Sequence, residues 1–371
     1  MASKKSTTID LKLDHAPALP QKIDYAIGCI GSGFIMRDIQ VVAYRNAGMN
    51  VHAIASRTPA NAKAAATARG IPKVYDTWHA LLDDKDIEIV DIAFPPDQQL
   101  EIVAEACQRK HIKGILAQKP IAMNYDQAKK LVALCDAAGK TLAVNQNMRW
   151  DQSMRALKTL LDRGTLGTPV IGTIEMRGIP HWQPFLKDYD RLTLLNMSIH
   201  HLDVFRFLFG DPERILCSVR TDPRTTFKHT DGIALYILEY ANGFRASSWD
   251  DVWTGPVREG SEGDIYIKWR VEGTDGMAHG TIGWVDYPNG SPSTINFTTK
   301  QQPGYWLQPR WKDVWFPDAF SGPMGELMRA IQDKDVPANN GHDNLRTMAL
   351  VDAAYKSAAE HRGVTLAEML N

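Results

Sequence analysis

Short apolar runs alternate with helical patterns from residue 23 to about residue 147. Each run precedes a segment whose apolar positions recur with a period of about 3.6 residues, as in an amphipathic helix. The runs that we predict to be strands are 23–27, 51–55, 87–93, 114–117 and 141–144. Strict alternation of strand and helix predicts right-handed βαβ crossovers, and therefore a doubly wound parallel sheet.

The pattern changes after residue 147, where strand-like runs follow one another. These runs are 170–177, 214–220, 232–240, 244–250, 265–272, 277–284 and 293–299. Asn242-Gly243 is a typical two-residue hairpin turn, so we predict a large, mainly antiparallel sheet. Helices are predicted at 194–208, 320–333 and 344–360, and the segment 300–318 is predicted to be a loop. The fold class is therefore α/β, with an α+β domain following the parallel sheet.

Length and composition add limits to this picture. A chain of 371 residues predicts more than one domain. We divide it into a mobile leader (1–22), a first domain (23–147) and a second domain (148–371). The C-terminal helix of the second domain can pack back on the first domain. The net charge of -1 argues against nucleic-acid and membrane partners. The four cysteines are far apart in sequence, which is typical of reduced thiols, and the leader lacks an apolar signal core. We therefore expect a cytoplasmic protein.

The stretch Gly28–Met36 is the strongest candidate for ligand binding. It follows the first predicted strand and leads into a helix, where unpaired backbone N–H groups and the helix dipole favour a pyrophosphate. Gly31 permits the tight turn and Gly33 the close approach of phosphate, whereas Met36 occupies the place of the third fingerprint glycine. The predicted contacts are Gly31, Ser32, Gly33, Phe34 and Ile35. A glycine-rich turn without a ligand remains the alternative.

The end of the second strand bears on the choice of dinucleotide. NAD-binding sites place a carboxylate here, which binds the ribose hydroxyls and repels a 2′-phosphate. Ser56 and Arg57 offer a hydroxyl and a cation instead. The sequence therefore favours NADP over NAD.

Two further segments contain side chains that are candidates for catalysis. Lys119-Pro120 follows a predicted parallel strand, at the edge where ligands bind in such sheets. Asn196, His200 and Asp203 are spaced i, i+4 and i+7 on a predicted helix, and so share one face. A lysine and a histidine can both move protons, although a surface lysine and a tolerated core histidine are the ordinary alternatives. Adjacent histidines at 200 and 201 point to different faces, which disfavours a zinc site, and we expect no metal.

The glycine turn, the lysine-proline pair and the helix at 194–208 occur in this order and at separations that resemble the glucose–fructose oxidoreductase / inositol dehydrogenase / MocA family. The resemblance runs from about residue 23 to the C-terminus. It implies a Rossmann domain followed by a domain whose open sheet mediates homodimers or homotetramers. It also implies hydride transfer between a nicotinamide and a carbohydrate, with Lys119 and His200 in proton transfer. A neutral sugar, polyol or sugar lactone fits, because no basic cluster demands a phosphorylated one.

The resemblance assigns the remaining site residues. It places Pro95, Gln118 and Lys119 at the cofactor. It places the following residues at the substrate: Arg149, His181, Trp182, Asn196, His200, His201 and Asp203. Two positions depart from the family, because Gln118 replaces the acid of its Glu-Lys-Pro motif and Asn196 replaces its aspartate. An amide donates a hydrogen bond but takes up no proton, so Asn196 only positions the substrate.

The two departures keep other functions open. A hydrolase or lyase on the same fold would oxidise its substrate transiently with a retained cofactor and show no net cofactor turnover. A non-catalytic protein that senses dinucleotide would need neither Lys119 nor His200, so their retention favours an enzyme.

Overall fold

The computed structural model describes residues 10–178, 184–251, 265–283 and 290–370. They form two compact units, both discontinuous in sequence. The first unit comprises residues 17–150 and 316–348, and the second comprises the described residues of 1–16, 151–315 and 349–371. The first unit thus includes a segment, 316–348, that the linear division at residue 148 assigns to the second domain.

The first unit contains a six-stranded parallel sheet in the order β3-β2-β1-β4-β5-β6. Its strands are β1 (Ile27–Ile30), β2 (Val51–Ala55), β3 (Lys73–Tyr75), β4 (Ile89–Ile92), β5 (Gly114–Ala117) and β6 (Thr141–Val144). Every residue of β1, β4 and β5 is buried, which explains the continuous apolar runs in the sequence. The strand order reverses between β1 and β4, and the predicted doubly wound parallel sheet is confirmed.

The helices of this unit connect strands of the sheet or follow its last strand. They are Ile35–Gln40 (π-helical), Val41–Asn46, Pro59–Arg69, Trp78–Asp83, Gln99–Gln108, Tyr125–Ala137, Asn147–Trp150 (3₁₀), Asp318–Phe320 (3₁₀) and Ser321–Asp333, and the helix Gly341–Glu360 begins in this unit. Gly114 shows why residues beyond 316 belong here. A Cβ atom on Gly114 would lie 2.6 Å from Ile331 Cδ1, so the missing side chain lets the helix Ser321–Asp333 pack closely on β5.

The second unit contains a nine-stranded sheet in the order β14-β13-β12-β11-β7-β10-β9-β8-β15. Its strands are β7 (Pro169–Arg177), β8 (Arg214–Arg220), β9 (Ile233–Glu239), β10 (Arg245–Asp251), β11 (Tyr266–Gly273), β12 (Gly276–Thr281), β13 (Thr294–Thr299), β14 (Gln302–Leu307) and β15 (Val364–Thr365). Its helices are Gln152–Asp162, Pro184–Asp188 (3₁₀), Leu194–Ser198 (π-helical), Ile199–Phe209 and Leu366–Leu370. The pair β7–β10 is parallel and the other described pairs are antiparallel, as the prediction of a mainly antiparallel sheet requires.

One face of this sheet carries exposed apolar side chains. We call it the open face and define it by Ile171, Leu216, Leu235, Ile237 and Trp249, all of which are exposed. Leu216 lies opposite Ile237, and Leu235 lies opposite Trp249, in neighbouring strands. The residues between them along each strand are mostly buried, which produces the alternation seen in the sequence.

Two predicted elements were wrong in detail. The first strand is Ile27–Ile30 instead of 23–27, because Gly28 lies within the strand. A Cβ atom on Gly28 would lie 2.8 Å from Leu81 Cδ2, so this glycine admits a packed helix and does not form the turn. The segment 300–318 contains β14, whose residues 303–306 are all exposed. Without a buried face it shows none of the alternation that marks a strand.

The described part of the leader contacts the second unit. The Arg163 guanidinium donates hydrogen bonds to the carbonyl oxygens of Asp10 (3.2 Å) and Lys12 (2.9 Å), and Leu13 is buried. The prediction of a mobile leader over 1–22 did not anticipate these contacts. Within the described part of the chain, none of the helices combines the length and apolarity needed to cross a membrane.

Candidate dinucleotide and substrate site

The glycine turn lies at the carboxyl end of β1. Gly31 has a φ of +116°, and a Cβ atom there would lie 2.5 Å from the carbonyl oxygen of Ala93, so only glycine fits. Gly33 is exposed, and a Cβ atom there would meet nothing within 4 Å. Phe34 and Ile35 follow at the start of the helix, and the first N–H groups of a helix point outward along its axis. The turn therefore offers open space beside backbone donors, as a pyrophosphate requires.

Met36 occupies the place of the third glycine without closing this turn. Its side chain is fully buried, and the helix begins with a π-helical segment, Ile35–Gln40, which is wider than an α-helical turn. The sequence did not predict this π-helix.

The ends of β1 and β2 meet through their side chains. The Ser32 hydroxyl donates a hydrogen bond to the Ser56 hydroxyl over 2.8 Å. The exposed Arg57 guanidinium lies 5.8 Å from the centre of the Phe94 ring, and its Nη1 donates to Gln98 Oε1 at 3.4 Å. Hydroxyls and a cation thus stand together where the ribose end of a dinucleotide is bound in this fold.

Lys119 follows β5 at the same carboxyl edge of the sheet. The Gln118 N–H donates to the carbonyl oxygen of Ile92 in β4, which fixes the start of the lysine loop. The Lys119 side chain is partly buried, and desolvation of its ammonium group lowers its pKa to about 7. A lysine with this pKa is divided between amine and ammonium near neutral pH, so it can accept or donate a proton.

Gln99 holds this loop from the first turn of the helix Gln99–Gln108. Its fully buried side chain donates hydrogen bonds to the carbonyl oxygens of Gln118 (3.0 Å) and Pro120 (2.9 Å), and accepts one from the Gln118 N–H (2.9 Å). The three bonds bracket Lys119 on both sides. We call this arrangement the Gln99 clamp.

The Gln118 side chain joins the loop to the interior of the sheet. Its Oε1 accepts a hydrogen bond from the Lys119 N–H (3.0 Å), and its Nε2 donates to Gln40 Oε1 (3.4 Å). Gln40 in turn donates to both carboxylate oxygens of Asp91, and the Tyr44 hydroxyl donates to the same carboxylate. Burial raises the pKa of Asp91 to about 7. The amide that replaces the family acid therefore belongs to a hydrogen-bonded chain that orients the loop.

Arg149 has a different environment from the predicted one. It is buried in the 3₁₀ turn Asn147–Trp150, where its guanidinium donates to the carbonyl oxygen of Ala338 (3.1 Å) and forms an ion pair with Asp343 (2.5 Å). These partners hold the guanidinium within the first unit, and the contact of Arg149 with substrate stays a prediction.

In the second unit, Asn196, His200 and Asp203 are all buried on the segment 194–209. Asn196 lies in the π-helical turn Leu194–Ser198, whereas His200 and Asp203 lie in the α-helix that follows. His200 and Asp203 are therefore neighbours at i, i+3, but the π-helical turn alters the predicted angle to Asn196. The His200 ring packs edge-on against Trp315, with centroids 5.8 Å apart.

Asp231 fixes the start of this segment. Its carboxylate accepts hydrogen bonds from the N–H groups of Leu192 (2.7 Å) and Leu194 (2.6 Å), and from the Tyr355 hydroxyl (2.8 Å). Burial raises the pKa of Asp231 to about 6. This acid, which lies beside β9, thereby sets where the helix that carries His200 begins.

His201 faces the interior. It is fully buried, and its Nδ1 lies 2.9 Å from Asp250 Oδ1 and 3.2 Å from the Ser248 hydroxyl. The ring of His201 is thus enclosed beside a buried carboxylate, and its contact with substrate stays a prediction. The predicted substrate residues His181 and Trp182 lie outside the described residues.

The described residues include a group of three possible metal ligands, His52, Asp84 and Asp86, whose ligand atoms lie within 4.8 Å of one another. The Lys73 ammonium, however, lies 3.1 Å from the Asp84 carboxylate and 2.9 Å from that of Asp86. Because a fixed cation already faces both acids, we assign the group no metal.

The parallel sheet with its glycine turn at the switch point defines a dinucleotide-binding α/β protein. Residues 25–146 match the model of the oxidoreductase family with an NAD-binding Rossmann fold, and residues 154–279 match the GFO/IDH/MocA C-terminal domain. The chain belongs to this family, and it is an NAD(P)-dependent oxidoreductase. The resemblance found in the sequence is thus confirmed.

Relatives of known activity cover nearly the whole chain. The chain is 29% identical to the D-apiose dehydrogenase of Rhizobium rhizogenes, over 92% of this chain and 97% of that protein. It is 26% identical to the inositol 2-dehydrogenase of Rhizobium meliloti, over 92% and 98%. An oxidoreductase from Agrobacterium radiobacter, solved with NAD+, L-tartaric acid and magnesium, has a TM-score of 0.79 at 25% identity, and the match covers 93% of this chain and 99% of that one.

Some residues that shape the site had no signal in the sequence. Gln99, Gln40 and Asp231 act through contacts with residues distant along the chain, and none belongs to a recognisable motif. Only the structure shows that Gln99 and Gln118 are partners.

Proposed function

We propose that the protein transfers a hydride between a nicotinamide and a carbon of a neutral sugar, polyol or sugar lactone. The observation that carries this proposal is Lys119, whose pKa is lowered to about 7 at the carboxyl edge of the dinucleotide-binding sheet. Oxidation of an alcohol releases the hydroxyl proton as well as a hydride, and a neutral amine is suited to accept that proton. The names of the apiose and inositol dehydrogenases support a carbohydrate alcohol as substrate.

The residues of the first unit fit a dinucleotide. Gly31 and Gly33 leave the backbone of the turn open, and Ser32 and Ser56 present hydroxyls beside it. When bound, the nicotinamide supplies the hydride acceptor or donor. We infer that Arg57 makes NADP the preferred cofactor, because an exposed guanidinium pairs well with a 2′-phosphate and this position carries no carboxylate.

In the proposed reaction, side chains of this protein transfer the proton. In the oxidative direction Lys119 removes the substrate hydroxyl proton as a neutral amine, and His200 acts as the second proton-transferring group. Asn196 orients the substrate by hydrogen bonding, since an amide takes up no proton. The Gln99 clamp and Gln118 act as positioning residues, because they touch the lysine loop and bracket Lys119.

The second unit supports self-association through its open face. The cross-strand pairs Leu216–Ile237 and Leu235–Trp249 form a contiguous exposed apolar patch on three adjacent strands. An apolar patch of this kind is suited to a second copy of the same surface. We therefore propose a homodimer or homotetramer that buries the open face.

A panel of sugars and polyols tests the proposed reaction. Each compound is incubated with the protein and with NADP or NAD, and the absorbance of reduced nicotinamide is followed while products are analysed by chromatography. We expect at least one neutral member to reduce the cofactor in a stoichiometric amount. Product formation without net reduction would instead indicate a hydrolase or lyase with a retained cofactor, and dinucleotide binding without any product would indicate a sensor.

A further inference from the structure

Two of the four cysteines, which are 28 residues apart in sequence, lie side by side in the first unit. Cys107 is near the end of the helix Gln99–Gln108, and Cys135 is near the end of the helix Tyr125–Ala137. Their sulfur atoms are 3.9 Å apart, within hydrogen-bonding range. Both are free thiols, so the chain holds two reducing equivalents at one place.

The two thiols differ in access and in acidity. Cys107 is partly exposed, whereas Cys135 is buried. The hydrogen bond between the two sulfur atoms lowers the pKa of the Cys107 thiol, and the Lys140 ammonium adds to this effect. The same pairing, together with burial, raises the pKa of Cys135. Cys107 is therefore the more accessible and the more acidic of the two thiols, which favours its reaction with a reagent from solution.

The other two cysteines provide a contrast. Cys29 is buried in β1 and Cys217 lies in β8 of the second unit. Burial raises the pKa of both thiols, that of Cys217 to about 12. Neither combines exposure, a stabilised thiolate and an adjacent thiol, which are the features of an oxidisable pair.

We propose that Cys107 and Cys135 form a redox-active dithiol that closes to a reversible intrachain disulfide on reaction with a peroxide. The Cys107 thiolate attacks one peroxide oxygen, so an S–O bond forms, the O–O bond breaks and hydroxide leaves. The Cys135 sulfur then attacks the sulfenic sulfur of Cys107, forming the S–S bond, breaking the S–O bond and releasing a second hydroxide. Two protons, one from each thiol, convert the hydroxides to water, so two electrons pass from the thiols to the peroxide.

The disulfide would close a loop that contains Lys119. The loop from Cys107 to Cys135 includes β5, the lysine loop and most of the helix Tyr125–Ala137. The helix that carries Cys107 also begins with Gln99. Oxidation would therefore link the helix that precedes β5 and the lysine loop to the helix that follows them. Neither cysteine belongs to the residues that we propose for proton transfer.

The test treats the whole protein with hydrogen peroxide, blocks the remaining thiols by alkylation and digests it with trypsin for mass spectrometry. We expect a cross-link between the peptides Asp86–Arg109 and Leu131–Lys140 that disappears on treatment with dithiothreitol. In Cys135→Ser, Cys107 should instead accumulate as sulfenic acid and react with dimedone. Cys217→Ser is the matched control and should form the cross-link like the wild type.

If a serine variant fails to fold, the cross-link in the peroxide-treated wild type alone tests the proposal. Peroxide treatment that leaves Cys107 and Cys135 alkylated as free thiols would overturn the proposal. So would oxidation of Cys217 at the same rate as Cys107, because the proposal requires Cys107 to react at least about tenfold faster.

Discussion

Replacing Gln99 with leucine tests how the lysine loop is held. The Gln99 side chain is fully buried and makes three hydrogen bonds of 2.9–3.0 Å to backbone groups on both sides of Lys119. Leucine has a similar volume but no polar atoms, so one N–H group and two carbonyl oxygens lose this partner. At about 1 kcal/mol for each hydrogen bond, the free energy of unfolding of the first unit should fall by about 3 kcal/mol.

The same substitution should slow the reaction. Without the Gln99 clamp the lysine loop samples more positions, and a displacement of about 1 Å at a reacting group can cost roughly 100-fold in rate. We therefore expect kcat to fall by roughly 10- to 100-fold. The affinity for dinucleotide should stay near the wild-type value, because the hydrogen bonds of Gln99 go to the lysine loop and not to the glycine turn within the described residues.

Urea unfolding followed by tryptophan fluorescence measures the loss of stability, and steady-state kinetics at saturating cofactor measure the loss of rate. Gln108→Leu is the matched control, because it makes the same change at an exposed position of the same helix. Wild-type stability and wild-type kcat in Gln99→Leu would refute the role of the clamp.

Three further predictions address the cofactor and the assembly. Arg57→Gln should weaken NADPH binding about tenfold in a fluorescence titration and leave NADH binding unchanged, since it would remove the proposed charge-assisted hydrogen bond to the 2′-phosphate. Tighter binding of NADH than of NADPH by the wild type would contradict the proposed preference. Ile237→Lys should convert the proposed oligomer to a monomer in sedimentation velocity, and an oligomer of wild-type size in that variant would contradict the proposed interface at the open face. Gly31→Ala should abolish dinucleotide binding in calorimetry and destabilise the first unit, because its Cβ atom would lie 2.5 Å from a carbonyl oxygen; normal affinity there would disprove the close approach.

Each of these variants has a matched control in the same chain. Lys63→Gln removes a positive charge from an exposed position of the helix Pro59–Arg69 and should leave both dinucleotide affinities unchanged. Leu134→Lys makes an exposed leucine of the first unit charged and should leave the oligomer intact. Gly33→Ala should leave stability near that of the wild type, because its Cβ atom meets nothing within 4 Å.

Most strands of the parallel sheet were predictable because they are buried on both faces, whereas β3, whose residues are only partly buried, was missed. The observed bounds of β2, β5 and β6 are those predicted from the apolar runs. The exposed edge strand β14 and the π-helical turn Leu194–Ser198 were missed, since neither leaves a periodic signal. Hydrophobic patterning reports burial, so elements without a buried face escape it.

The place of a candidate site residue in the fold could be predicted only where a local motif marks it. Lys119 and Gly31 occur in recognisable turns, and the structure places both at the carboxyl edge of the sheet. The contacts of polar residues next to these motifs could not be predicted, because their partners are distant in sequence. Arg149 pairs with Asp343, 194 residues away, and His201, which is on a helix, lies against Asp250 in the strand β10. No pattern in the sequence predicts such pairs.

The most direct test of the account is the pH dependence of kcat/KM for sugar oxidation, measured in the wild type and in Lys119→Met. Desolvation lowers the pKa of Lys119 to about 7, and the oxidative direction requires the neutral amine. Wild-type kcat/KM should therefore rise with pH through about 7 and level off above it, whereas Lys119→Met should lose this inflection and most of its activity while still binding NADPH. Lys130→Met, at an exposed position, should keep the wild-type profile. An inflection near pH 7 that persists in an active Lys119→Met protein would contradict the assignment of proton transfer to Lys119.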